Sequence, residues 1–352
     1  MRIIVLAGDG IGPEITAATM GILERLNAQR GLGLAFEPDD IGFASLEKYG
    51  TTLREDMLAK AAGFDGIILG PQSNMDYPPP EKGGRNVSAA FRVKLDLYAN
   101  VRPARSRPAL GRGAPEMDLV IMREATEGFY ADRNLFLGNG EFMPSPDMAL
   151  SIRKITAHAC ERIARRGFEL ARRRRKKVTA VHKANVLTVG DGLFLREVRK
   201  VAQEFPDVEL DDFIVDAMAA LLVRDPARFD VIVNTNFYGD ILSDLASELS
   251  GSLGLAGSLM QGDSLAAAQA QHGSAPDIQG TDRANPTSMI LSAAMLLRWL
   301  GERHGEPKLV LAGDDIEAAV DRVLADPGSR TRDLGGALGT RAFGQRVAEA
   351  LG

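Results

Sequence analysis

The sequence predicts an α/β protein, and three observations lead to that fold class. Apolar strand-like runs alternate with helix-like runs along the 352 residues. Turns rich in glycine and proline separate these runs, as at residues 70–84. An apolar fraction of 45% and a charged fraction of 25% are those of an ordinary globular protein. The chain is also long enough for two domains, each with its own core.

Each predicted strand is a short apolar run between turn residues. The strands are predicted at residues 2–7, 66–70, 118–123, 178–182, 212–215 and 229–235. Each predicted helix is a run with apolar residues three or four positions apart. The helices are predicted at residues 13–28, 53–62, 86–97, 147–171, 191–204, 217–225, 240–250, 285–301, 314–325 and 340–351. No long linker is present, so we expect any domain boundary where strands cross between two lobes.

Charge and cysteine content exclude several kinds of function. A net charge of −5 gives the molecule no general attraction to nucleic acid. The basic run at residues 172–177 follows a predicted helix, where cations meet the negative end of the helix dipole. Cys160 is the single cysteine, which excludes an internal disulfide, and we expect its thiol to be packed. No apolar run reaches the roughly 20 residues that span a bilayer, and we expect a cytoplasmic protein without a membrane partner.

The stretch LAGDGIGPEI, residues 6–15, has the look of a dinucleotide-binding turn. The Rossmann fingerprint is G-x-G-x-x-G, with an acidic residue about 20 positions later at the end of a second strand. Here the glycines are spaced G-x-G-x-G, and no strand ends in an acid until Glu37. Neither the spacing of the glycines nor the position of the acidic residue matches the fingerprint, so we do not predict a Rossmann site. The stretch instead predicts a tight loop before a helix whose first N–H groups can face a ligand.

Three carboxylates are candidates for a metal site. Asp240 and Asp244 are four residues apart and share one face of a predicted helix, while Asp216 opens another helix that is otherwise apolar. Carboxylates without histidine or cysteine favour Mg²⁺ or Mn²⁺. Spacing alone leaves solvated acids at helix ends as an alternative.

Several basic and phenolic side chains are candidates for binding and proton transfer. Arg102 and Arg123 adjoin strand-like runs, where a buried charge needs a partner. A bound carboxylate or a structural ion pair would serve. Lys183 interrupts an apolar run, and desolvation and a nearby metal would both lower its pKa toward that of a general base. Tyr130 could deliver a proton, although a lone tyrosine is more often simply packed.

Six motifs in order make the interpretation specific: GDGIGPE, LDLYANVRPA, MREATEGFY, HKANVL, GDILSDLAS and HGSAPDI…ANPT. Over nearly the whole chain the sequence resembles the β-decarboxylating dehydrogenases, which include isopropylmalate, isocitrate, homoisocitrate and tartrate dehydrogenases. The resemblance implies a two-lobed α/β fold that is not a Rossmann fold. It implies a cofactor lobe of residues 1–97 and 251–352, and a substrate, metal and dimerisation lobe of residues 98–250.

The resemblance also assigns residue roles. It implies that the catalytic residues are Tyr130 and Lys183. It implies substrate contacts from Ser88, Arg92, Arg102, Arg123 and Asn185, and Mg²⁺ or Mn²⁺ ligands at Asp216, Asp240 and Asp244. It implies cofactor contacts from Ile11, His272, Gly273, Asp277, Ile278 and Asn285. It further implies a homodimer in which Lys183 and Asp216 reach into the partner's site.

The cofactor implied is NAD. A carboxylate at Asp277 would accept hydrogen bonds from both ribose hydroxyls and repel a 2′-phosphate. Relatives that use NADP have lysine and tyrosine at the positions of Asp277 and Ile278. One departure concerns the segment before the glycine-serine pair, where many relatives read E-P-V-H. This chain has Gln269 at the glutamate position, so cofactor geometry near the nicotinamide ribose is less well defined.

The implied substrate is a 2-hydroxy acid with a carboxylate on C3. Ser88 and Ala89 stand where isopropylmalate enzymes have two leucines that form an apolar slot. A more polar slot favours an isocitrate or homoisocitrate type of substrate, although a few kcal/mol of preference leaves tartrate, D-malate and 3-isopropylmalate open. A non-catalytic regulatory subunit is disfavoured because the predicted base, acid and metal ligands are all present.

Overall fold

The computed structural model of the chain describes residues 1–114, 116–130, 132 and 134–352. Within that part the chain divides into two compact units. The first unit comprises Met1–Leu95, Arg107–Arg112 and Ser252–Gly352, and the second comprises Asp96–Ser106 and Gly113–Gly251. Helices and strands alternate in both units, which confirms the predicted α/β class.

Twelve strands follow one another along the described residues. They are β1 (Arg2–Leu6), β2 (Ala35–Asp39), β3 (Gly66–Leu69), β4 (Ala99–Arg105), β5 (Asp118–Glu124), β6 (Glu141–Ser145), β7 (Met148–Ser151), β8 (Lys177–His182), β9 (Glu209–Ile214), β10 (Val231–Asn234), β11 (Leu259–Gln261) and β12 (Ala266–Gln269). The helices are α1 (Gly12–Arg30), α2 (Gly42–Tyr49), α3 (Met57–Ala62), α4 (Val87–Lys94), α5 (Ala157–Arg172), α6 (Gly190–Ala202), α7 (Val215–Arg224), α8 (Asn236–Leu249), α9 (Thr287–His304), α10 (Pro307–Ala325) and α11 (Thr340–Glu349).

In the first unit the strand order is β2-β1-β3-β12-β11. Strand β1 is parallel to β2 and β3, and β3 is also parallel to β12, whereas β11 is antiparallel to β12. Ile3 and Ile4 of β1 and Ile67 and Ile68 of β3 are wholly buried. Continuous apolar runs of this kind are typical of parallel strands covered on both faces. Apolar residues of α1, α9 and α10 complete this core.

In the second unit the strand order is β4-β5-β10-β8-β9. Strands β5, β10, β8 and β9 are parallel to their neighbours, and β4 is antiparallel to β5. Arg123 lies near the end of β5 opposite Asn234, the last residue of β10, and Lys183 directly follows β8. The carboxyl ends of these parallel strands therefore place the predicted functional residues at one edge of the sheet, where α/β proteins bind ligands.

The helix predicted at residues 147–171 is wrong in its first part. Residues Met148–Ser151 form β7, which pairs with β6 in an exposed hairpin. Helix α5 begins at Ala157, where the Thr156 hydroxyl accepts a hydrogen bond from the Ala159 amide at 3.2 Å. Strands β2, β4, β6, β11 and β12 were not predicted. Prolines interrupt the patterns of β2 and β4, and β12 consists mainly of alanine, which has little strand preference.

The basic run after α5 has structural partners. The Arg172 guanidinium lies 2.7 Å from Asp207, and the Arg174 Nε atom lies 2.8 Å from the buried Asp230 carboxylate. These pairs support the interpretation of the run as part of the fold. Cys160 is buried on α5, as predicted, and burial raises the pKa of its thiol. Among the described residues, no helix has the length and apolar character needed to cross a bilayer.

Candidate active site

Arg123 is the centre of a cluster in the second unit. Its side chain is only 1% exposed, and its Nη1 atom pairs with the Asp240 carboxylate from α8. Its Nε atom donates to the Asn236 side-chain oxygen at 2.9 Å, and its Nη2 atom donates to the Tyr130 hydroxyl at 2.8 Å. A buried guanidinium is tolerable only with such partners, and its planar fork suits carboxylates.

Arg102 approaches the same helix from β4. Its Nη1 atom donates to the Ser243 hydroxyl at 2.6 Å and lies 3.3 Å from Asp244 and 3.4 Å from Asp240. Burial, and then repulsion from Arg123, lower the pKa of Arg102 to about 10. Two buried cations thus face the two carboxylates of Asp240 and Asp244. The sequence named all four as site residues but did not predict that they pair with one another.

Tyr130 joins this cluster through its hydroxyl group. The hydroxyl donates to Asp240 Oδ2 at 2.6 Å while it accepts from Arg123. The tyrosine proton therefore points at a carboxylate, and an adjacent cation stabilises the phenolic oxygen. Tyr130 in this arrangement can donate a proton to a bound ligand or accept one from it.

Sequence reasoning missed Asn236 and Ser243. Both belong to α8 and lie within four residues of Asp240, so they lie near it on the helix surface. The predicted helix began at residue 240, which left Asn236 outside the pattern. The Asn236 amide also donates to the Glu127 carbonyl at 2.8 Å, which fixes the orientation of its oxygen toward Arg123.

Lys183 and Asp216 form a second cluster in the same unit. The Lys183 ammonium donates to the Asp216 carboxylate, and this hydrogen bond lowers the pKa of Asp216. The Lys183 backbone amide donates to Asp191 at 2.5 Å, and Asp191 is wholly buried. Arg153 and the Tyr238 hydroxyl also bind Asp191, so the backbone carrying the lysine is held firmly. Asn185 lies exposed in the turn that follows.

The three predicted metal ligands, Asp216, Asp240 and Asp244, do not come together as a set within one chain. Among residues 1–114, 116–130, 132 and 134–352, no group of three or more His, Cys, Asp or Glu side chains is placed to hold a metal ion. Asp240 and Asp244 are 39% and 53% exposed and share a helix face, which suits two oxygen ligands for Mg²⁺ or Mn²⁺. Asp216 instead contacts Lys183.

The predicted cofactor residues lie in the first unit. The Ile11 amide donates to the Ser274 carbonyl at 2.8 Å, and a Cβ atom on Gly10 would meet that carbonyl at 2.0 Å. The loop after β1 therefore packs closely against the segment that carries His272 and Gly273. Burial lowers the pKa of His272, which favours its neutral form.

The remaining cofactor candidates, Asp277, Ile278 and Asn285, precede the start of α9. The carboxylate of Asp277 is exposed in a short 3₁₀ turn that also contains Ile278. The Asn285 amide donates to Asp333 at 2.9 Å, and its oxygen accepts from the Thr287 amide at 3.0 Å. The exposed turn leaves the Asp277 oxygens accessible to a ligand.

Two substrate candidates, Ser88 and Arg92, lie on α4 in the first unit. The Ser88 hydroxyl donates to the side chain of Gln72, and the Arg92 Nε atom lies 3.1 Å from the Met260 sulfur. Gln72 in turn accepts from Gln269 at 3.1 Å. Gln72 was missed because it lies in an irregular loop, where no periodic pattern indicates a neighbour.

Comparison with known proteins defines the class. The family model described as "Isocitrate/isopropylmalate dehydrogenase" matches residues 2–347, so the chain belongs to this family of decarboxylating dehydrogenases. The resemblance found in the sequence is thereby confirmed, and the chain is an oxidoreductase acting on hydroxy acids.

Particular relatives narrow the class without fixing the substrate. The chain is 44% identical over 351 residues to an isocitrate/homoisocitrate dehydrogenase of Thermus thermophilus, covering 99% of this chain and 98% of that protein. It is 41% identical over 351 residues to a 3-isopropylmalate dehydrogenase of Archaeoglobus fulgidus, covering 99% of each. A crystal structure of isocitrate dehydrogenase from Methylococcus capsulatus is similar with a TM-score of 0.85 at 40% identity, covering 99% of each chain.

Proposed function

We propose that the chain catalyses NAD-dependent, Mg²⁺- or Mn²⁺-dependent oxidative decarboxylation of a 2-hydroxy acid with a carboxylate on C3. An isocitrate or homoisocitrate type of substrate is favoured. The observation that carries the proposal is the cluster of Arg102, Arg123, Tyr130, Asp240 and Asp244 in the second unit. It combines buried cations for carboxylates, an oriented phenol and a pair of carboxylates for a hard cation.

Arg102 and Arg123 bind the substrate carboxylates in this proposal. Both guanidinium groups are at least nine-tenths buried, so a bound carboxylate would interact with them in a medium of low polarity. Arg92 and Asn185 add substrate contacts by resemblance to the family. Asp240 and Asp244 would hold the divalent ion, which as a Lewis acid supplies polarisation of the C2 oxygen.

Lys183 and Tyr130 handle the protons. Lys183, in its neutral amine form, accepts the proton of the C2 hydroxyl. NAD⁺, when bound, would supply the acceptor for the hydride of C2. Asp216 orients the lysine through the hydrogen bond they already share. After CO₂ leaves, Tyr130 would deliver a proton to C3 and recover one from solvent. Arg123, which donates to the Tyr130 oxygen, would stabilise the phenolate formed in between.

NAD is the proposed cofactor because the exposed Asp277 carboxylate can accept from two ribose hydroxyls. A 2′-phosphate would meet a like charge there. Ile278 supplies no cation in its place. Ile11, His272, Gly273 and Asn285 complete the proposed cofactor contacts.

A homodimer with shared active sites is part of the proposal. Asp216 lies with Lys183, away from the other two proposed metal ligands, as expected if the pair serves the partner's site. Exposed apolar side chains mark surfaces for association. They occur on the β6–β7 hairpin and on α8, at Phe142, Met143, Met148, Leu150, Phe237 and Ile241. A cytoplasmic location stays a prediction.

The proposal is tested by NADH formation with isocitrate, homoisocitrate, 3-isopropylmalate, D-malate and tartrate, each with and without Mn²⁺. Metal-dependent NADH formation with a tricarboxylate above the others supports the favoured substrate. Preference for tartrate or D-malate, or for 3-isopropylmalate, would replace that substrate within the same reaction class. No turnover of any of the five acids would contradict the proposed reaction.

Subunit mixing tests the shared site. Lys183→Ala and Asp240→Asn homodimers should both be inactive. In a heterodimer one site would hold both lesions and the other would hold neither, so activity should return. Absence of recovery in a mixture shown to contain heterodimers would place Lys183 and Asp240 in the site of one chain.

A further inference from the structure

Two glutamines and a serine form a buried hydrogen-bonded chain in the first unit. Strands β3 and β12 are parallel, and their last residues, Leu69 and Gln269, are direct neighbours. Gln72 follows three residues after β3, so its side chain and that of Gln269 meet at the carboxyl end of these strands. The two glutamines are only 9% and 7% exposed.

The orientation of the Gln72 amide is fixed by its partners. Its Nε2 atom donates to the Gly70 carbonyl, and a carbonyl can only accept. Its Oε1 atom must therefore face the other way, where it accepts from the Ser88 hydroxyl and from Gln269 Nε2 at 3.1 Å. Turning the amide over would set oxygen against oxygen at Gly70.

The Ser88 hydroxyl proton is therefore already donated to the Gln72 side chain. A serine hydroxyl has one proton and two lone pairs. The Ser88 proton points at Gln72, and the Asn74 side-chain amide donates to the Ser88 oxygen at 3.5 Å, so Ser88 can offer another group only its second lone pair. Asn74 holds the surrounding turn, since its side-chain oxygen accepts from the Val87 amide at 3.1 Å at the start of α4.

We propose that Gln72, held by Gln269, is a specificity-determining positioning residue that makes Ser88 a hydrogen-bond acceptor toward the substituent on C3 of the substrate. This rests on the proposed function and on the family resemblance, which implies that Ser88 contacts the substrate. A hydroxyl substituent can donate to Ser88 without disturbing Gln72. A carboxylate substituent needs the Ser88 proton and must break the bond to Gln72, so Gln72 reduces the preference for an isocitrate type of substrate that the polar slot otherwise favours.

Gln269 stands where many members of the family that the chain resembles have glutamate. A carboxylate there would set an acceptor against Gln72 Oε1, which is itself an acceptor. The neutral amide donates instead, so Gln269 stabilises the orientation of Gln72 that commits the serine proton.

The test compares kcat/KM for isocitrate, tartrate and D-malate in wild type, Gln72→Leu and Gln72→Glu. Isocitrate presents a carboxylate-bearing substituent, tartrate presents a hydroxyl, and D-malate presents none. Gln72→Leu releases the serine proton, so the ratio of isocitrate to D-malate should rise about tenfold, the equivalent of one hydrogen bond to a charged group. The ratio of tartrate to D-malate should change little. Gln72→Glu still accepts the serine proton, loses the bond to the Gly70 carbonyl and adds a negative charge beside Ser88, so its isocitrate ratio should fall rather than rise.

Gln261→Leu is the matched control, because Gln261 is a glutamine at the end of the neighbouring strand β11, opposite Ala266. It should leave all ratios unchanged. Equal loss with all three acids in Gln72→Leu would show a merely structural role and overturn the proposal. If Gln72→Leu does not fold, Gln269→Leu should give a smaller rise in the same ratio, and an unchanged ratio would overturn it. If wild type oxidises none of the acids, the proposed function fails, and the dissociation constants of the same acids decide the role of Gln72 separately.

Discussion

Asp240 should contribute far more to stability than Asp244, although both are proposed to bind the same metal ion. Asp240 accepts from Tyr130 and is paired with Arg123, whose side chain is only 1% exposed. Asp240→Asn removes the negative charge that balances Arg123. The electrostatic repulsion between Arg123 and Arg102 is then no longer offset by Asp240. Asp244 is 53% exposed and lies 3.3 Å from Arg102, so Asp244→Asn removes a weaker, solvent-screened interaction.

The magnitude follows from burial. Removing one partner of a fully buried ion pair costs about 3–5 kcal/mol, and the 39% exposure of Asp240 reduces this to about 2–3 kcal/mol. Asp244→Asn should cost less than about 1 kcal/mol. At about 1.4 °C per kcal/mol for a chain of 352 residues, Asp240→Asn should lower Tm by about 3–4 °C and Asp244→Asn by less than about 1.4 °C.

The assay is thermal unfolding followed by circular dichroism in EDTA and without substrate, which removes any contribution from a metal ion. Both variants should lose Mn²⁺-dependent NADH formation, so activity does not separate them but stability does. Equal Tm values for the two variants, or a larger loss in Asp244→Asn, would refute Asp240 as the counter-ion of the buried arginine.

Three further predictions concern other parts of the chain. Cys160 is buried with a raised thiol pKa, so the native protein should react with a thiol reagent only when unfolded, and rapid native labelling would contradict its packing. Lys183→Ala should raise the pKa of Asp216 toward its ordinary value in an NMR titration. The pairing favours the folded state above that ordinary pKa and is lost as pH falls through the lowered value, and an unchanged titration would show that Lys183 is not the cause. Asp277→Lys combined with Ile278→Tyr should shift the ratio of kcat/KM from NAD toward NADP, and a wild type that already prefers NADP would exclude the role given to Asp277.

The sequence predicted the elements whose patterns are strongly periodic and local. Strands β1, β3, β5 and β8 are apolar runs with both ends marked by turns, and they lie where expected. Strand β4 contains Pro103 and Arg102, and its place is set by antiparallel pairing with β5 rather than by its own pattern. Tertiary pairing of this kind overrides local preference.

The same distinction holds for the candidate site. The sequence alone predicted that Asp240 and Asp244 share one helix face, because residues four positions apart on a helix are neighbours. The contact between Gln72 and Gln269 joins residues 197 positions apart, and no local pattern carries it. The pairing of Asp216 with Lys183 is equally non-local, since it depends on how β8 and α7 are arranged in the folded unit.

The division of the chain has a consequence for biosynthesis. The first unit is discontinuous, and strand β12, which pairs with β3, is made about 200 residues after it. Nearly all of the second unit lies in the continuous stretch between them. During translation the second unit is therefore complete before the sheet of the first unit can close. Until β12 is synthesised, the edge of β3 with which it pairs stays unpaired. A translational pause or a chaperone at this stage would therefore act on the proposed cofactor-binding unit rather than on the arginine and aspartate cluster.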